Sequence, residues 1–136
     1  MIMTESKYQV EVPVHVEFED VDAYRIAHHT KLIAYLERAR VRLFQKYNFE
    51  IIEGKYSIVL HKLDIRFANP AKFLDDLTVI ASLKSANESR IKLSYRIRKG
   101  KQLIAKASSE LACVDPATQR IALFPDSLLE RFGLIS

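Results

Sequence analysis

Val10, Val12, Val14, Val16 and Phe18 alternate with Glu11, Pro13, His15 and Glu17, the two-residue period of a half-buried strand. Pro13 cannot donate a ladder bond, so this strand belongs at an edge or in a locally unpaired stretch. From Thr30 the period lengthens: Leu32, Leu36, Ala39, Leu43 and Tyr47 fall on one helical face, widened by Ile33, Ala34 and Phe44. So broad a stripe implies a helix covered on more than one side. Thr30 suits the N-cap and Asn48 the C-terminal stop, which predicts a helix over about residues 31–47. After Gly54 the short period returns. Residues 57–69 are rich in Ile, Val, Leu and Phe, and residues 77–84 and 91–98 alternate, with Ile80 the one apolar residue among the outward positions. Lys99-Gly100-Lys101 reads as a turn into a last long strand over 102–115, with residues 119–124 extending the sheet. Residues 126–132 read as a short helix stopped by Gly133. The order predicts an α+β fold, one antiparallel sheet of about five strands curled around one long helix.

At 136 residues the chain reads as a single domain, 1–136, able to bury roughly two-thirds of its unfolded surface. No repeat or linker interrupts it. No apolar run approaches the roughly 20 residues that cross a bilayer, and residues 1–7 lack an apolar signal core. A soluble cytoplasmic protein with no membrane insertion is expected. The lone Cys113, in Leu111-Ala112-Cys113-Val114, reads as one more small strand residue in a reducing compartment.

The net charge is +4 and the pI about 9.2, but the distribution is sharper than the total. Between Lys84 and Lys106 stand eight basic residues and one acid, Glu88. Alternation puts Arg90, Lys92, Arg96 and Arg98 on the outside of a strand, where they either hold an anionic ligand or form a solvated face. The segment lacks the Gly-rich or aromatic-interleaved basic pattern of nucleic-acid readers, so no nucleic-acid partner is expected.

The chemistry concentrates in Phe18-Glu19-Asp20-Val21-Asp22-Ala23-Tyr24-Arg25-Ile26-Ala27-His28-His29 and the apolar helix that follows. A strand end delivers carboxylates, a tight loop follows, and a histidine stands at the mouth of a helix. On these residues alone Asp22 reads more readily as a loop or helix cap than as a catalytic group. This stretch also resembles, nearly residue for residue, the active-site segment of hotdog-fold acyl-CoA thioesterases of the 4-hydroxybenzoyl-CoA thioesterase type. The match is closest to the Tol-Pal-associated branch, here through Glu19-Asp20-Val21-Asp22 and Glu37-Arg38-Ala39-Arg40. Two weaker patches agree. Pro70-Ala71-Lys72-Phe73-Leu74-Asp75-Asp76-Leu77 is similar to the family's inter-strand turn, and Leu103-Ile104-Ala105 followed by Ala112-Cys113-Val114-Asp115 is similar to its last strand.

The resemblance covers about residues 10–132 and implies the hotdog fold and hydrolysis of an acyl-CoA to free acid and CoA. It places Asp22 at the catalytic carboxylate, as general base or as nucleophile. It puts His29 at the position whose backbone N–H, at a helix N-terminus, can hold the thioester oxyanion. The ring of His29 is a second candidate, to orient water or the leaving thiolate. Tyr24 and Arg25 occupy loop positions where many members have glycine, which puts them forward as residues over the acyl group or on a phosphate. Phe18 stands where some members carry tyrosine. Glu19 and Asp20 are expected to flank the strand end on its solvent side, and His28 to be structural. Arg96 and Arg98 are candidates for the CoA phosphates. No cofactor and no metal site are expected. The family implies at least a homodimer with sites built from both subunits, and the basic stripe favours a tetramer through the helix side over back-to-back sheets. Two alternatives stay open: a thioesterase for acyl groups on acyl carrier protein, and a non-catalytic acyl- or CoA-binding hotdog module. Acyl chain length and aromaticity are not legible.

Overall fold

The computed structural model describes residues 8–47 and 57–131. Six strands and two helices follow one another: β1 (Gln9–His15), α1 (His29–Lys46), β2 (Ser57–Phe67), β3 (Asp76–Ala86), β4 (Ile91–Lys99), β5 (Gln102–Asp115), β6 (Arg120–Ala122) and α2 (Asp126–Arg131). All pairings are antiparallel, in the order β1-β3-β4-β5-β2, with β6 adding to the end of β5. The sheet is open, and its concave face receives α1. This is the hotdog arrangement.

Period-2 patterning explains the sheet's two faces. Val12, Val14, Leu77, Val79, Ala81, Ile91, Leu93, Tyr95 and Ile97 are buried, while their sequence neighbours face outward. Against them α1 packs Leu32, Tyr35, Leu36, Ala39, Leu43 and Phe44, and Phe124, Leu128 and Leu129 close one end of the core. Burial of a Leu or Ile side chain contributes about 1.5–3 kcal/mol, so this layer carries most of the stability. The β4–β5 hairpin turns at Gly100, whose φ of +57° favours a residue without a Cβ.

Three expectations need correction. The strand ends at His15, and Phe18 opens a 3₁₀ turn over Phe18–Asp20 with its ring 78% exposed, so it does not continue the inward valine row. The helix starts two residues earlier than the apolar period suggests. Its N-cap is His28, whose Nδ1 accepts from the Thr30 N–H (3.3 Å) and lies 2.8 Å from the Thr30 hydroxyl. A histidine is an unusual cap, so Thr30 reads as the better one in sequence, although its oxygen serves the histidine instead. The helical stop at Asn48, the break at Gly54 and the stop at Gly133 lie outside the described residues.

Pro13 sits as expected on an edge. Leu83 donates to the Tyr8 carbonyl and Val16 to that of Asp75, so the even-numbered residues of β1 bond to β3 and the odd-numbered ones face the free edge. The missing N–H of Pro13 therefore costs no ladder bond.

Candidate active site

Between β1 and α1 the chain makes a small hairpin. Val21 bridges Ala27, Asp22 N–H donates to the Ile26 carbonyl (3.0 Å), and His28 N–H donates to the Asp20 carbonyl (2.9 Å). At its tip Asp22 Oδ1 accepts from the Tyr24 N–H at 2.8 Å and from the Ile26 N–H at 3.5 Å. The carboxylate thus caps its own loop, as the residue type alone suggests, and does not cap α1. Its Oδ2 has no partner among the described residues. Arg25 takes φ +61°, the left-handed conformation that glycine adopts freely. The loop therefore keeps a glycine-type backbone while carrying a long side chain. Both Tyr24, 83% exposed, and Arg25 point to solvent within one chain.

Asp20 is the larger correction. Its side chain is only 12% exposed. Oδ2 accepts from the Tyr35 hydroxyl at 2.7 Å and from the Glu17 N–H at 3.1 Å, and Lys31 Nζ lies 4.0 Å from Oδ1. Burial, then the hydrogen bond to this carboxylate, pushes the Tyr35 phenol well above its ordinary range, so it stays a donor. Asp20 is an anchor that ties the loop to α1, not a solvent-side carboxylate. The signal was Tyr35 itself: a tyrosine on the buried face of a helix needs a partner for its hydroxyl.

His29 is the first residue of α1. Its N–H is one of the first-turn donors that no helix carbonyl serves, and it meets no acceptor among the described residues. It borders a cleft of about 340 Å³ whose walls are Ile26, Ala27, Leu32, Phe67, Ala68, Pro70 and Ala71, with Asn69 as the second polar residue. The rings of His28 and His29 stack with centroids 4.2 Å apart. A larger groove of about 730 Å³ lies between β1 and the Arg38, Arg42 and Lys46 flank of α1, with Glu11 in its lining, but no helix N-terminal N–H opens onto it. The smaller cleft is therefore the better candidate for chemistry.

The three patches that resemble one family in sequence meet at this cleft. Ala27 N–H donates to the Ala71 carbonyl (2.7 Å) and Phe73 N–H to that of Arg25 (3.1 Å), so the Asp22 loop is stitched to the Pro70 turn. The Ile104 carbonyl accepts from Ala68 and Asn69 N–H groups, and Asn69 Nδ2 donates to the Leu103 carbonyl at 2.7 Å. Asp75 holds its turn by accepting from Lys72 N–H and pairing with Lys99 at 2.8 Å. Arg96 and Arg98, in contrast, stand on the convex face of β4 and do not border the cleft. Within one chain Asp22, Tyr24 and Arg25 do not line it either.

Residues 16–132 match the sequence profile of the Thioesterase-like superfamily. The chain belongs to that superfamily. It is 26% identical over 124 residues to the acyl-CoA thioester hydrolase YbgC of Escherichia coli O157:H7, covering 88% of this chain and 92% of the relative. It is 27% identical to the acyl-CoA thioesterase YbgC of Haemophilus influenzae over the same length, 88% of this chain and 91% of that one. Among solved structures it superposes on Slr0204, a 1,4-dihydroxy-2-naphthoyl-CoA thioesterase from Synechocystis, with a TM-score of 0.81 at 18% identity, covering 92% of this chain and 96% of that chain. The last comparison establishes the fold alone. No helix of the described residues is long and apolar enough to cross a membrane.

Proposed function

We propose that this chain is an acyl-CoA thioesterase, that Asp22 supplies the catalytic carboxylate, and that the His29 N–H holds the oxyanion. The observation that carries the reading is an N–H with no acceptor among the described residues at the start of an 18-residue helix, opening onto an apolar cleft beside a hairpin that presents a carboxylate. As the thioester carbonyl becomes tetrahedral its oxygen gains charge, and a fixed amide with the helix dipole behind it stabilises that charge without reorganising. Asp22 Oδ2 either takes a proton from the attacking water or bonds to the carbonyl carbon to give an anhydride, and in both routes CoA leaves as thiolate. The backbone amides on Oδ1 keep the group aimed. The relatives named acyl-CoA thioesterases and the Glu-Asp-x-Asp and Glu-Arg-Ala-Arg motifs support placing the chain in the Tol-Pal-associated branch, as one domain working in the cytoplasm.

Because Asp22 and the cleft do not meet within one protomer, the reading calls for a second copy, with the Asp22 loop of one chain and the cleft of the other forming each site, and with Tyr24 and Arg25 turned toward the partner. The open edge of β2, which carries exposed Val59, Leu60 and Phe67, suits the pairing. The helix carries five basic residues and one acid, so the charge argument against back-to-back sheets applies to helix-to-helix contact as well. A dimer is the favoured assembly. Arg38 and Arg42 beside the β1 groove, which make no ion pair among the described residues, favour one second reading, an acyl group delivered on an acidic carrier protein.

The test is release of free thiol from a panel of acyl-CoA and acyl-carrier-protein thioesters. Asp22→Asn should lower kcat at least about a hundredfold, the scale of a lost general base. His29 stands at a helix position that tolerates proline. His29→Pro, which deletes the N–H, should abolish turnover where His29→Ala keeps much of it. Equal, severe losses in both folded variants would give the role to the imidazole.

A further inference from the structure

The convex face of the sheet carries its charges in cross-strand rows, and two of those rows differ in one position. In the first, Lys92 of β4 and Lys62 of β2 flank Glu110 of β5, and Lys92 bonds to Glu110 at 3.3 Å. That is how a solvated face balances itself. In the second, Arg96 of β4 and Arg66 of β2 flank Lys106 of β5, so three cations stand side by side where the other row has an acid in the middle. Directly opposed like charges on adjacent strands destabilise a sheet. None of the three makes an ion pair among the described residues. Arg98 adds a fourth cation two residues along β4, and its Nε is shut from solvent with no hydrogen-bond partner among the described residues. Ser94 and Ser108 stand opposite each other in the next row, with hydroxyls not used by the described residues. Asp64 ends that serine row and pairs with neither Arg66 nor Lys106.

We propose that Arg66, Lys106 and Arg96, with Arg98 and the two serines, form a binding site for an organic phosphate. With strands about 4.8 Å apart the row spans about 10 Å, long enough to meet two phosphate groups separated by a ribose. Guanidinium forks suit phosphate oxygens and hydroxyls donate to those left over. The row begins at Arg66, the residue before Phe67 of the cleft wall, so a long flexible ligand anchored here reaches the cleft by passing the end of β2 at Ala68 and Asn69. The sheet's convex face stays open if β2 pairs edge to edge. Choosing the nucleotide of acyl-CoA as the source of the phosphates rests on the thioesterase reading; a separate nucleotide would use the same chemistry.

The probe is 3′,5′-ADP, titrated calorimetrically into the intact protein at low and high salt. Saturable binding that weakens with salt, and that weakens at least about tenfold in Lys106→Glu and in the Arg66→Gln, Arg96→Gln pair, is the expected result. Lys106→Glu copies the balanced row, so its melting temperature should hold or rise while binding is lost, which separates a site from a structural role. No binding by the wild type, or equal binding by both variants, overturns the proposal. KM then identifies the source: a rise for acyl-CoA that spares acyl-pantetheine assigns the site to the substrate, and an unchanged KM for both assigns it to a separate phosphate ligand. If the wild type turns over neither thioester, the enzyme reading fails while the titration still decides the site.

Discussion

At one edge of the sheet β1 turns Glu11, Pro13 and His15 outward, and α1 reaches across it: Lys46 Nζ and the Tyr47 hydroxyl both donate to the Gln9 carbonyl, at 2.9 and 3.0 Å, while the Gln9 N–H donates back to Tyr47. At the other edge β2 offers 11 residues with Val59, Leu60 and Phe67 exposed by 38%, 39% and 53%, and no described element lies along it. Proline, charge and a covering helix are the means by which sheets refuse further strands, and an apolar open edge invites one. The candidate site draws on both: its Asp22 loop follows the guarded strand, and its cleft wall follows the open one.

The largest effect should come from charging the open edge. In the Val59→Lys, Leu60→Lys variant the assembly should fall to monomers in sedimentation, with a native circular dichroism spectrum and turnover down about a hundredfold, because a misplaced reacting group costs that much. Monomers with full activity would mean that one chain holds a complete site. Next comes the anchor on the guarded side. Tyr35→Phe removes a hydrogen bond to a carboxylate, worth about 1.5–3 kcal/mol, and should lower the melting temperature and kcat without changing sedimentation.

A smaller effect is set by pH at the turn that meets the end of β1. Burial alone would raise the Asp75 carboxyl, but the Lys99 ammonium, the Lys72 N–H and the two lysine charges outweigh it and hold it below its ordinary value. Its contribution is therefore complete above the ordinary carboxyl range and disappears as pH falls through the lower folded value. Asp75→Asn should flatten the acid limb of a melting-temperature curve below about pH 4. The smallest effect belongs to Pro13→Val. Stability should change by under about 0.5 kcal/mol, since no ladder bond is at stake, while light scattering at high concentration should rise as a second strand edge becomes able to pair.

Much of this was legible because it depends on period. The five long strands, the central helix and the edge position of Pro13 follow from spacing and from a missing N–H, and both are local properties. The candidate site's geometry was half legible. Asp22 and His29 stand out by order along the chain, but the partners of Asp20 and Tyr35 are 15 residues apart and meet only after α1 folds back. The His28 cap inverts an ordinary preference, and no propensity foresees that. The basic segment over 84–106 looked like a stripe along β4. In the folded sheet Lys92 and Lys99 are paired with acids, and the unbalanced charge runs across strands, including Arg66 from outside the segment. Cross-strand neighbours depend on register, which a single strand does not reveal.

Arg25 has a consequence for how this loop can drift over generations. Holding a residue with a Cβ in the left-handed region costs about 1–2 kcal/mol, whereas glycine in an ordered segment gives up roughly 0.5–1 kcal/mol more backbone freedom than alanine. The two penalties nearly offset each other. Exchange between glycine and a bulky residue at position 25 is therefore close to neutral for the backbone, and what selects the side chain there is whatever it touches.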